Sequence, residues 1–188
     1  LIQFAEASMG IGHVNVYPEF DGIVRREIPA IKYGDAYYPS YALQLALAYL
    51  DLKPTDATVT AGEKIQFGQI TVPLDKGNGM LISFNGPDQT FNYYPFHDVM
   101  NDKVSMDFFK DKIVILGPSA IGVGTLYVTP VAPNFPSIEV VANAIENILH
   151  QKFLTRPPWA ANVELGLLAV IGLFITVLLP RTRALGGA

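Results

Sequence analysis

The sharpest chemical candidate in this 188-residue chain is the stretch following Lys112-Ile113-Val114-Ile115-Leu116-Gly117. Gly117, Gly122 and Gly124 come directly after an apolar run, the position where α/β folds place ligand-binding loops. A phosphate loop needs a lysine and a hydroxyl immediately after its last glycine. Val123 and Gly124 stand there instead, so phosphate cradling is not expected, and Pro118 with the glycine spacing breaks the dinucleotide fingerprint as well. Ser119 follows the run as a nucleophile would, but a nucleophile elbow needs glycine two residues to either side. Gly117 meets that need and Ile121 does not. His13, His97 and His150 lie far apart, and His97-Asp98 are adjacent rather than one helical turn apart, so no spacing reads as a metal site. Asp21, Glu27, Asp98 and Glu139 are possible acids and bases, yet no spacing selects a pair. The residues thus carry no recognisable catalytic constellation, and no cofactor or metal is expected.

The elements that must position such groups follow from composition and periodicity. Half of the chain is hydrophobic and only 16% is charged, which excludes intrinsic disorder. There is no cysteine, hence no disulfide scaffold and no thiolate ligand or nucleophile. A net charge of −4 argues against a nucleic-acid partner, whose phosphates demand a basic surface. Length gives a prior of one domain with room for a core.

Gly12 to Tyr17 alternates as a half-buried strand does, and Asp21-Gly22 supplies turn chemistry before the strand pattern Ile23 to Tyr33. In that pattern Arg25 and Arg26 are expected on opposite faces, and Pro29 pushes the strand toward an edge or a break. Ser40 opens a helix over YALQLALAYL whose apolar residues nearly encircle it. Ile65 to Leu74 and Met80 to Phe84 read as strands joined by a hairpin-type turn over Asp75 to Gly79. A short helical turn is expected around Phe96, Val99 and Met100. The run from Lys112 to Gly117 is β-branched and continuous, the pattern of a central strand buried on both faces. Pro118 to Pro136 reads as loop. Ser137 is placed to cap a helix with an apolar stripe of Ile138, Val141, Ala142, Ile145, Ile148 and Leu149. Together these predict an α/β fold, a layered domain with a mixed β-sheet flanked by helices.

The excess apolarity sits at the end. Val163 to Leu179 is interrupted only by Glu164 and Thr176, and its seventeen residues span roughly 26 Å as a helix. Beginning at Ala160 brings it to the length of a transmembrane helix, with Trp159 as an interfacial anchor and Pro180, Arg181 and Arg183 as a charged stop. Lys152 and Arg156 before the span balance Arg181 and Arg183 after it, so charge alone leaves orientation open. Both ends begin or finish in mid-pattern, as a piece of a larger protein would.

Taken in order, Asp21-Gly22-Ile23-Val24-Arg25-Arg26 with Pro29, Pro39-Ser40, Lys112 to Gly117, Thr129-Pro130, Pro136 with Glu139-Val140 and Ala142, and Arg156-Pro157-Pro158 before a membrane span resemble the second CHASE class. That is the cyclase/histidine-kinase-associated sensory extracellular domain of bacterial receptors. The resemblance implies signal input rather than catalysis. It also implies an extracytoplasmic sensor domain over residues 1–158, a transmembrane helix over 159–180 and the start of a cytoplasmic loop over 181–188, in a bacterial cytoplasmic membrane with the main domain on the periplasmic side. A cytoplasmic adenylate or guanylate cyclase, or a kinase, would follow. Two departures stand out. Thr125 replaces an aspartate usual four residues before the Thr-Pro pair, and the motif Pro-Gly-x-Glu-x-His-Ala carries Ser137 for its glycine and Val141 for its histidine. The expected partners are the membrane, a small-molecule or protein signal and a second copy of the chain, without nucleic acid. A small-molecule pocket is placed beside the Gly117 to Pro130 loop, with Ser119 and Thr129 as polar contacts and Arg25 or Arg26 as charge partner. For the arginines, surface pairing with a nearby carboxylate is the competing reading and the favoured one. A ligand-free dimerising module and an envelope hydrolase using Ser119 are the alternative readings.

Overall fold

The computed structural model describes residues 2–120, 122–157 and 159–185. They fall into two units, Leu1–Leu154 and Thr155–Ala188. The first holds α1 (Ile2–Ala7), β1 (Arg26–Glu27), β2 (Ala30–Tyr33), β3 (Ala36–Pro39), α2 (Tyr41–Tyr49), β4 (Thr58–Thr60), β5 (Lys64–Phe67), β6 (Ile70–Pro73), β7 (Met80–Leu81), α3 (Phe96–Met100), β8 (Leu126–Tyr127), β9 (Phe135–Pro136) and α4 (Ser137–His150). The second is built on α5 (Ala160–Leu185). Ile121, Pro158 and the end of the 181–188 segment, Gly186 to Ala188, lie outside the described residues.

The class is α/β with an apolar helix at the end. Its strands differ from a single mixed sheet. Among the described residues they form four small antiparallel sheets, β1–β7, β2–β3, β4–β5–β6 and β8–β9. Parallel pairing is confined to isolated bridges, His13 with Ser40 and Ile23 with Val128. Pro29, which has no N–H to give, separates β1 from β2. Gly22 takes a positive φ of 79° in the turn that precedes them, a conformation open to glycine at no steric cost.

Ser40 starts α2 as expected. Its backbone is extended and its Oγ accepts a hydrogen bond from the Leu43 N–H at 3.2 Å. Ala42, Leu43, Ala46 and Leu47 of α2 pack with Ile65, Phe67, Val72 and Met80 and with Ala144, Ile145 and Ile148 of α4. A second cluster, Val24, Ile82, Phe135 and Val140, lies toward the start of α4. There Phe84 meets Phe135 edge to face, with ring centroids 5.4 Å apart. Gly12 runs against the start of α2 so closely that a Cβ there would stand 2.5 Å from the Tyr41 backbone. Ser40→Ala is expected to cost about 1 kcal/mol of stability in urea unfolding, the usual worth of such a cap.

Several local expectations are corrected. Ile113 to Gly117 forms no ladder among the described residues. Ile113 and Ile115 rest on the core while Val114 and Leu116 are 57% and 74% exposed. A β-branched run favours extended chain but cannot choose a partner, and here one face alone finds apolar contact. Gly12 to Tyr17 contributes only the His13 bridge. Ile65 to Leu74 is two strands folded back on each other at Gly68, whose φ is 52°. The turn over Asp75 to Gly79 therefore does not close a hairpin, because β7 pairs with β1 instead of β6. Ser137 is the first helical residue of α4 and Pro136 the cap, without a side-chain cap bond. The buried face of α4 is also rotated from the expected stripe, taking in Glu139, Asn143 and Asn147 while Ile138, Val141, Ala142 and Leu149 are only partly covered.

The second unit is described by itself. In the window Ala160–Val177 of α5 the mean hydropathy is 2.0 and none of it is buried. It is, among the described residues, one helix long and apolar enough to cross a membrane. Glu164 is ion-paired with Arg156, and the Thr176 hydroxyl donates to the Gly172 carbonyl at 2.7 Å, so both polar interruptions are satisfied locally. The helix does not stop at Pro180 but continues to Leu185. Proline forfeits one backbone bond there, and the Arg, Ala and Leu residues beyond it are good helix formers.

Candidate functional site

The turn over Glu19 to Gly22 folds its acidic residues toward the arginines of the next strand. Arg25 contacts Glu19 at 2.8 Å and Asp21 at 2.8 Å. Arg26 pairs with Glu19 and, through Nε, with Asp75 at 2.6 Å. The expected divergence of the two arginines is thus corrected, because both reach Glu19 across a turn that curls over them. Three carboxylates answer two guanidinium groups, and the Arg25 hydrogen bond holds the Asp21 carboxyl below its ordinary range. Asp75 uses its other oxygen to accept from Gly77 N–H at 2.8 Å and Gly79 N–H at 2.9 Å, which ties this cluster to the following turn.

Thr129 is buried and its hydroxyl is engaged locally, donating to the Ala132 carbonyl at 3.0 Å and accepting from the Ala132 N–H at 3.2 Å. Ser119 lies elsewhere, on the wall of a cavity of about 380 Å³ with Asp88, Gln89, Tyr93, Leu126 and Asn134. The structure therefore brings Arg25 and Arg26 together, places Ser119 at a cavity and leaves Thr129 in a turn.

Two residues of that wall, Gln89 and Tyr93, are held by the polar face of α4. Glu139, 2% exposed, accepts from the Gln89 and Thr90 N–H groups at 2.9 Å each, from Phe91 N–H at 3.4 Å and from the Tyr93 hydroxyl at 3.0 Å. One turn on, Asn143 accepts from the Asn85 N–H at 2.9 Å. A turn further, Asn147 accepts from Ser83 N–H at 2.7 Å and donates to Ser83 carbonyl at 2.9 Å. A helix thereby does for residues 83–93 what a neighbouring strand would do, supplying partners for their backbone donors. The Tyr93 phenol is pushed up in pKa by desolvation first, then by its bond to Glu139 and the charges of Glu139 and Asp88. Sequence reasoning named Glu139 as a possible acid or base and as part of the resembled motif, but missed its role here and missed Tyr93, Asn143 and Asn147 altogether. The available signal was the spacing Glu139, Asn143, Asn147 along an otherwise apolar helix.

A second concavity, about 230 Å³, lies on the other side of the Gly117 to Pro130 loop, lined by Val14, Val16, Leu116, Thr125, Ser137 and Val141 among others. The three positions at which this chain departs from the resembled motif pattern share this one groove. The Ser137 N–H donates to the Thr125 carbonyl at 3.0 Å. Threonine, serine and valine give its wall hydroxyls and methyl groups.

A family model described as the CHASE2 domain matches residues 2–179. The chain belongs to the CHASE2 domain family. CHASE2 is an extracellular sensory domain family of signalling proteins, so its role is sensing rather than catalysis. No curated protein and no solved structure matches the chain. Within this CHASE2 domain, no three His, Asp or Glu side chains among the described residues gather where they could hold a metal ion. The cavity beside Ser119 and the groove beside Val141 are candidate places for a signal to act.

Proposed function

We propose that this CHASE2 domain is the periplasmic signal input of a bacterial transmembrane receptor that controls a cytoplasmic adenylate or guanylate cyclase. In this reading residues 1–158 lie outside the cytoplasmic membrane, 159–180 cross it and 181–188 enter the cytoplasm. The receptor works as a homodimer, and the signal acts beside the Gly117 to Pro130 loop, with Ser119 at its edge and Arg25, Arg26 and Thr129 holding the neighbouring turns. The observation that carries the reading is the wholly exposed apolar surface of α5 in a member of an extracellular sensory family. Each large apolar side chain left in water forgoes about 1.5–3 kcal/mol, which lipid recovers. α4, whose first turn holds the cavity residues Gln89 and Tyr93, ends at His150, and nine residues separate it from α5. A change at the cavity thus has a short covalent route to the membrane. A signal can shift the receptor only by its differential affinity for two states, tenfold for each ~1.4 kcal/mol.

Two measurements test this. Reconstituted into phosphatidylcholine vesicles, the full chain should resist alkaline extraction, while externally added protease digests the part before residue 158 on outward-facing molecules. A chain that stays monodisperse without detergent overturns the membrane assignment. In membranes carrying the whole receptor, cyclic-nucleotide output should respond to envelope conditions and lose that response when residues 1–158 are removed. Output that never responds favours the ligand-free dimerising module.

A further inference from the structure

The cavity beside Ser119 has a definite electrostatic character. Asp88 lies on its wall without an ion pair or hydrogen bond among the described residues, and no lysine or arginine lines it. Directly behind it is Glu139, buried and bonded to three backbone N–H groups and one phenol but to no cation. One carboxylate, that of Asp88, therefore lines this space, and no cation answers it there.

Two polar groups of the wall only accept toward the cavity. The Tyr93 hydroxyl spends its proton on Glu139 and presents lone pairs to the cavity, and the carboxylate of Asp88 only accepts. Gln89, Asn134 and Ser119 can accept as well. The wall is also held in a costly conformation: Gln89 has a φ of 63°, an uncommon region for a residue with a side chain, and its N–H is fixed by Glu139.

We propose that this cavity binds a small organic ammonium ion, with its cationic N–H donors on Asp88 and the Tyr93 oxygen and its remaining donors on Gln89, Asn134 or Ser119. An anion would meet the Asp88 carboxylate and no counter-charge. A bare divalent cation is a poor fit, since it asks for six or more closely placed oxygens and one free carboxylate is offered. A volume of about 380 Å³ is at the small end for ligand sites, which suits a compact amine. The inference deepens the sensory reading and rests on it for its purpose, though the binding step stands separately.

The test titrates the full chain in detergent micelles with 1,4-diaminobutane at matched ionic strength, followed by calorimetry and ligand-observed NMR. 1,4-Butanediol and succinate serve as neutral and anionic probes of similar length. The diamine should bind saturably, the diol more weakly and succinate not at all. Asp88→Asn should weaken the diamine by about tenfold and leave the melting temperature unchanged, because the Asp88 side chain makes no bond. Asp88→Glu should keep the affinity. A diol that binds as well as the diamine, an affinity indifferent to Asp88→Asn, or no diamine binding at millimolar concentration overturns the proposal. Diamine binding that depends on Asp88 while cyclase output stays constant keeps the site and sinks the sensory reading.

Discussion

In equilibrium urea unfolding, Glu139→Ala is expected to lower the stability of the domain by about 3–5 kcal/mol, the range for removing one partner from a buried charged network. The carboxylate is the acceptor for Gln89, Thr90 and Phe91 N–H groups and for the Tyr93 hydroxyl, and none of these has another partner among the described residues. Glu139→Gln should also destabilise, because its NH₂ turns donors toward donors. Limited proteolysis separates this from a general loss of packing: in both variants cleavage should rise first between Gly86 and Tyr94. Asn143→Ala, which releases the Asn85 N–H alone on that segment, should be milder. Uniform cleavage across the domain, or a loss below 1 kcal/mol, would count against Glu139 as the holder of this segment.

The second large effect depends on pH. Glu27 on β1 is 5% exposed, and burial pushes its carboxyl up to about 7 from an ordinary 4.5, with a Ser40 hydrogen bond acting the other way. Between those values the folded chain keeps a proton that the unfolded chain has released. The stability from this group is therefore full below 4.5 and is lost as pH rises through 7, by on the order of 3 kcal/mol. Glu27→Gln should abolish the decline and leave the protein more stable than its parent at about pH 8. His13 works in the opposite direction. Both its ring nitrogens are buried without a partner among the described residues and desolvation lowers its pKa, so its contribution falls as pH drops below 6.5. Urea midpoints of wild type and Glu27→Gln measured from acid to mildly alkaline pH check both signs, and a parent that shows no decline relative to Glu27→Gln between about pH 4.5 and 7 contradicts the Glu27 argument.

What could be read from residues alone was whatever local rules decide. Ser40 caps α2, Pro29 breaks the strand pattern, Gly22 turns, and the apolar tail makes a helix, because each depends on a few neighbouring residues. What could not be read depends on contacts distant in sequence. The β-branched run at Ile113 has the right composition for a central strand, yet pairing is decided by which edges other segments leave open. Glu139, Asn143 and Asn147 looked like the solvent side of α4 because polar residues usually are. They are inside because residues 83–93 lack a sheet of their own. The cavity wall failed to announce itself for the same reason, being assembled from three separate stretches around Asp88, Ser119 and Asn134.

The three-rung fastening of α4 also limits how that helix can travel. Its teeth recur every four residues and run opposite in direction to the chain they hold, so a small glide along the axis would strip all of them at once. Held at three unevenly spaced points of that chain, the helix either stays engaged or lets go.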